Sequence, residues 1–194
     1  MNPLRFRIGL VQALTTGSAL VGIAGCGTDL SIGPAAFENR TDTLQIWAAT
    51  GTPVARPSAF LIATRSVARL DQLSSFDFIF DITPQGEHVL IPLAAVTNTG
   101  TAIGNPGLLP TEMAFGSITE AEQTGYFTND TLSIRVGDTF FARSKISSAC
   151  FLGIPYYAKL QIIAMNDEDR SIWFQVLANI NCGFRSLEPG LPEK

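Results

Sequence analysis

The sequence predicts an all-β protein: an antiparallel β-sandwich, immunoglobulin-like or of a related type, with a small β-barrel as the alternative. Three observations lead there. Roughly eight or nine short segments alternate apolar with polar residues or run apolar for about a strand's length. Clusters of Gly, Pro, Asn and Asp separate them at regular spacing. Almost no stretch beyond residue 42 carries a helical period, and no internal repeat of solenoid or propeller length is visible.

Taken in order, Thr43 to Ala49 puts Leu44, Ile46 and Ala48 on one face and forms the first strand. Gly51, Pro53 and Pro57 then mark a loop, and the apolar run Ser58 to Thr64 is the second strand, for which a hairpin with the first is the natural pairing. In Ser75 to Ile82, Phe76, Phe78, Phe80 and Ile82 share a core face, while Asp77 and Asp81 are expected on the side facing water. After the turn signal Pro84-Gln-Gly86, His88 to Val96 continues as a strand in which Pro92 implies an edge position or a bulge.

Residues 97–110 lack any period and form the loosest connection. Glu112 to Ile118 is a candidate strand, and Thr119 with Glu122 has the capping-box spacing of a single helical turn. Thr131 to Val136 and Thr139 to Ser144 flank Gly137-Asp138, which suggests a compact hairpin. The strongest hairpin is the last. Tyr156 to Met165 and Arg170 to Ile180 enclose Asn166-Asp167-Glu168-Asp169, and Ala158, Leu160, Ile162 and Ala164 are placed to face the same way as Ile172, Phe174, Val176 and Ala178. The segment from Gly183 to Lys194, bearing Pro and Gly, is expected on the surface.

Composition narrows the function classes. Hydrophobic residues make up 46% against 15% charged, which is globular and not disordered. Without Arg5 and Arg7 the remaining chain has an excess of acidic over basic residues and no basic run after Cys26. Phosphate backbones bind through clustered Lys and Arg, so no nucleic-acid partner is expected, and electrostatic docking to anionic lipid is equally unsupported.

The N-terminus carries a different kind of signal. Arg5 and Arg7 form a basic head, an uncharged and mostly apolar run extends from Ile8 to Gly25, and the run ends in Ile23-Ala24-Gly25-Cys26. This segment resembles the signal peptide of bacterial lipoproteins, whose lipobox has an aliphatic residue three positions before an invariant cysteine and small residues between; Leu is commoner where Ile23 stands. The resemblance covers residues 1–27 alone. It implies cleavage after Gly25, lipidation of Cys26 and attachment to membrane lipid through that residue, at the periplasmic face or the cell surface. A plain secretory signal and a retained anchor are the alternatives. Gln12, Thr15, Thr16, Ser18 and the glycines Gly9, Gly17 and Gly22 make the run a poor permanent span. Two or three acyl chains suffice for stable tethering.

On this basis residues 1–25 are a signal peptide, 26–42 a lipidated N-terminus and tether, 43–185 a single sandwich domain and 186–194 a C-terminal tail. Assigning Cys26 to lipid leaves Cys150 and Cys182 as an even pair in an oxidising compartment, where a disulfide is expected; two buried free thiols are the alternative. With Asn166 opposite Arg170, Cys182 comes opposite Ile154, and Gly153 and Pro155 let Cys150 return toward it. Closing a loop of about 33 residues contributes about 3.7 kcal/mol by chain entropy.

Catalytic chemistry finds little support. The single histidine, His88, stands with no Gly-x-Ser-x-Gly elbow and is expected as a turn or edge residue. Zinc-ligand spacing is missing, and Asp167-Glu168-Asp169 has the position of a solvated hairpin tip and not of a calcium loop. Asp77 and Asp81, four residues apart on one strand, are about 13 Å apart, too far for a glycosidase pair. Trp47, Trp173, Tyr156 and Tyr157 are candidates for a carbohydrate- or protein-binding patch, with core or rim positions as the alternative. No catalytic residue, metal or cofactor is therefore assigned. The expectation is a lipid-anchored cell-envelope protein that is a non-enzymatic binding or structural module, with an envelope protein or glycan as partner; the alternative is a lipid-tethered hydrolase or carbohydrate-active enzyme.

Overall fold

In a computed structural model that describes residues 33–98 and 104–193, the chain forms two antiparallel five-stranded sheets. The strands in chain order are β1 (Thr41–Trp47), β2 (Ala59–Leu61), β3 (Ser66–Ala68), β4 (Phe78–Ile82), β5 (His88–Pro92), β6 (Gly107–Thr111), β7 (Leu132–Ser133), β8 (Thr139–Arg143), β9 (Tyr157–Asn166) and β10 (Ser171–Asn179). The first sheet runs β1-β10-β9-β8-β6 and the second β3-β2-β4-β5-β7. They pack as a β-sandwich, and neither sheet closes into a barrel.

The alternation along the strands builds the core between the sheets. Ile46, Phe140, Leu160 and Phe174 from the first sheet meet Phe60, Phe78, Phe80 and Leu90 from the second. Phe174 lies edge-on to Phe60 with ring centroids 5.4 Å apart, and 6.2 Å from Phe78, so aromatic contacts span the two layers. The hairpin β9–β10 is the longest pairing. Its register has Asn179 opposite Tyr157 and Phe174 opposite Ile162, then shifts by one residue so that Ser171, not Arg170, faces Asn166. The extra residue is Ile163, a bulge that turns Ala164 outward and Met165 inward, opposite Ile172, where the sequence pattern had placed Ala164. Arg170 occupies the left-handed turn position at φ 50°.

Several connections differ from the sequence expectation. β1 makes no hairpin with β2; it pairs with β10, while β2 pairs with β3 and β4. Likewise Gly137-Asp138 joins no hairpin. β7 pairs with β5 in one sheet and β8 with β6 and β9 in the other, so this turn carries the chain across the sandwich. Pro92 ends β5, and Leu93–Thr97 forms a short helix, α1, closed by Asn98 in the left-handed conformation. Residues 112–118 contain a 3-10 turn, Phe115–Ser117, and no strand, and 119–123 form no helical turn.

The chain beyond Gly183 is not a loose surface tail. Leu187 is fully buried, Glu120 and Ser186 form a bridge, and Asn39 pairs with Gly190. These segments, with Ile118, Ala121 and Phe141, make a second apolar cluster on the outer face of the first sheet. The segment before β1 is docked as well: Ala36 and Phe37 donate their backbone N–H groups to Asn181 Oδ1 at 2.7 and 2.9 Å.

Candidate functional site

Cys150 and Cys182 are joined in a disulfide with Cα atoms 5.1 Å apart, at the open end of the β9–β10 hairpin. Cys26 lies outside the described residues. Among those residues no helix is long and apolar enough to cross a membrane, and no group of three or more His, Cys, Asp or Glu side chains is placed to hold a metal ion.

The two aspartates of the 75–82 segment have separate structural roles. Asp77 is not in water but buried, with 5% exposure. Its Oδ2 accepts from Ile62 N and its Oδ1 from Lys145 N, both at 2.7 Å, which ties the second sheet to the end of β8 in the first. Burial raises its pKa to about 6, against the opposing pull of those two hydrogen bonds. Asp81 Oδ1 instead accepts from Thr50 N and Oγ1 at 3.1 and 2.8 Å and shapes the β1–β2 loop. His88 stacks on Phe80 at 5.8 Å, and its Nε2 lies 2.8 Å from Asp167 Oδ1, so the acidic hairpin tip leans on the second sheet through this pair.

The four aromatics named from sequence are not gathered into one patch. Tyr156 is in the inter-sheet core and Tyr157 in the outer cluster beside Tyr126, with centroids 6.4 Å apart. Burial raises the Tyr126 phenol well above its ordinary pKa. Trp47 is half-buried beneath the Arg56 guanidinium, 4.7 Å from its ring centre. Only Trp173 presents an exposed ring, at 40%.

Strand register explains what surrounds Trp173. Directly paired residues share a face, and one rung crosses the whole first sheet as Thr43, Gln175, Gln161, Thr139 and Thr111. Every member is polar and none is charged. Gln175 Nε2 donates to Gln161 Oε1 at 2.7 Å, and Gln161 Nε2 to Gly137 O at 3.1 Å, so the amides are held in orientation. On one side of this rung, Gln45 lies opposite Trp173, its Nε2 donating to Ser171 Oγ at 3.0 Å. At the other end Gln161, Thr139 and Thr111 open into a groove of about 420 Å³ that also receives Glu112, Ser133 and Asp138. A second groove of about 630 Å³ lies elsewhere, among Thr50, Asp81, Val89, Ile91 and Arg170; Asp81 and Arg170 there are engaged with Thr50.

No family model, no curated protein and no solved structure matches this chain. The site therefore rests on its own chemistry: an exposed indole flanked by fixed amides and hydroxyls, running into a polar groove. Such a surface can stack an apolar ring face and exchange hydrogen bonds with hydroxyl groups. Sequence reasoning singled out Trp173 but not the rung, whose members come from five separate segments and meet only through register.

Proposed function

We propose that this protein is a lipid-anchored component of a bacterial cell envelope that works as a non-enzymatic binding module, with the Trp173 face as its glycan-binding surface. The observation that carries the anchor is the cysteine pairing. The disulfide occupies Cys150 and Cys182, which leaves Cys26, the residue that ends the lipobox-like Ile23-Ala24-Gly25, as the remaining thiol of the chain. The disulfide is also a bond that exported proteins keep.

The glycan assignment is supported by the uncharged rung and its neighbouring indole. A neutral sugar offers C–H faces to an aromatic ring and hydroxyls to amides, and meets no unpaired charge along the accessible rung members Thr43, Gln175, Gln161 and Thr111. The rigid sheet beneath reduces the ordering cost of binding.

Labelling with radioactive palmitate in a bacterial host tests the anchor. Label is expected in the parent protein and not in Cys26→Ser, and equal label in both overturns it.

A further inference from the structure

Resting on the lipid-anchor reading, we infer that the disulfide end of the sandwich lies against the bilayer, with Phe37 and Phe151 seated at the boundary between headgroups and acyl chains. Phe37 is 54% and Phe151 71% exposed, and Leu191 nearby is 56% exposed. They are distant in sequence but joined by a short chain of contacts. The Phe37 backbone is held from both sides by Asn181, which accepts at Oδ1 from Phe37 N and donates from Nδ2 to Phe37 O at 2.8 Å. Asn181 precedes Cys182, whose disulfide leads to Cys150, and Phe151 follows directly. Leu191 follows Gly190, which exchanges two backbone hydrogen bonds with Asn39.

The chain entering this end identifies what covers it. Among the described residues the first hydrogen-bonded to the sandwich is Ala36, and residues 26–35 between the lipidated position and that contact span at most about 35 Å when fully extended. A tether this short brings the end that receives it nearest to the membrane. Close by, the exposed Glu38 and Glu188 outnumber the exposed Arg40, which itself stands beside Asp42, so nothing favours anionic lipid and the contact is apolar and fits a zwitterionic surface.

Fluorescence quenching by brominated phosphatidylcholine tests this on the full lipidated protein in vesicles. A tryptophan is placed by Phe151→Trp or, at the exposed Val54 of the β1–β2 loop near the hairpin tip, by Val54→Trp, each compared with the parent. The expected result is severalfold stronger quenching of the added signal in Phe151→Trp than in Val54→Trp. Vesicle-bound protein with equal quenching at both positions overturns the inference while leaving the anchor intact. Protein that remains in the supernatant overturns both.

Discussion

The outer face of the first sheet is divided in two by the rung from Thr43 to Thr111. Toward the disulfide, the next rung runs from the exposed Thr41 through Leu177, Lys159, Phe141 and Leu109, and these last four are covered by the 115–126 segment and the chain around Leu187. Even Lys159 is enclosed: its Nζ donates to Ile118 O at 2.7 Å and lies 4.8 Å over the Phe115 ring, and burial lowers its pKa while Glu188 opposes the shift. On the rung itself Gln161 and Gln175 are half-buried, and beyond it toward the hairpin tip stand the half-buried Gln45 and the exposed Trp173, with no described segment packed over them as an apolar cover. Where the face is apolar the chain has folded back to cover it. Where it is amide, hydroxyl and one indole, the face stays open, and solvation of the polar groups makes that tolerable without a partner.

Substitutions in the two halves sharpen the contrast. The largest expected effect is at the covered end: replacing Cys150 and Cys182 by Ser removes the crosslink and lowers unfolding free energy by about 4 kcal/mol in urea titrations. Leu187→Ala, at a fully buried position, is expected to cost about 3 kcal/mol. A cost within experimental error would mean that the C-terminal segment does not cover the sheet.

Asp77 gives that end a pH dependence. Its carboxyl keeps its proton to about pH 6 in the folded state, against 3.8 as the unperturbed value. The folded state therefore holds more protons between these values, and the contribution to stability is full below pH 4, declines as pH rises and levels off above pH 6, a change of about 3 kcal/mol. Subtracting the pH profile of Asp77→Asn isolates this slope, because the amide does not titrate in that window. A flat difference contradicts the buried-carboxyl account. The smallest effects belong to the open half: Gln161→Ala and Gln175→Ala, on a half-exposed surface, are each expected to shift stability by no more than about 0.5 kcal/mol.

Local pattern made the strands and the long hairpin legible. Leu44, Ile46 and Ala48, or Phe78 and Phe80, alternate as a half-buried strand must, whereas the register expected from Asn166 opposite Arg170 holds from Phe174–Ile162 to Asn179–Tyr157 only because the Ile163 bulge offsets the one-residue difference at the turn. Pairing partners were less visible. Thr43 to Ala49 has nothing in it that selects β10 over β2, and Gly137-Asp138 has the composition of a hairpin turn although it bridges the sheets. Such choices depend on long-range packing. Asp77 had the alternation of a solvent-facing residue, and only the amides of Ile62 and Lys145, from distant segments, account for its burial. Leu187 sits among Pro and Gly residues that mark a surface segment by composition, yet its buried side chain, its backbone bond to Thr119 and the side-chain amides of Asn39 and Asn179 dock it. The candidate site was the least legible, since Thr43, Thr111, Thr139, Gln161 and Gln175 are unremarkable singly and form a surface only across paired strands.

Calorimetric titration of the folded protein with neutral oligosaccharides released from bacterial envelopes tests the binding face most directly. The expected result is saturable binding that weakens at least tenfold in Trp173→Ala and in the double variant Gln161→Ala/Gln175→Ala, with unfolding midpoints near that of the parent. No binding by the parent, or unchanged affinity in both variants, would contradict a glycan site on this face.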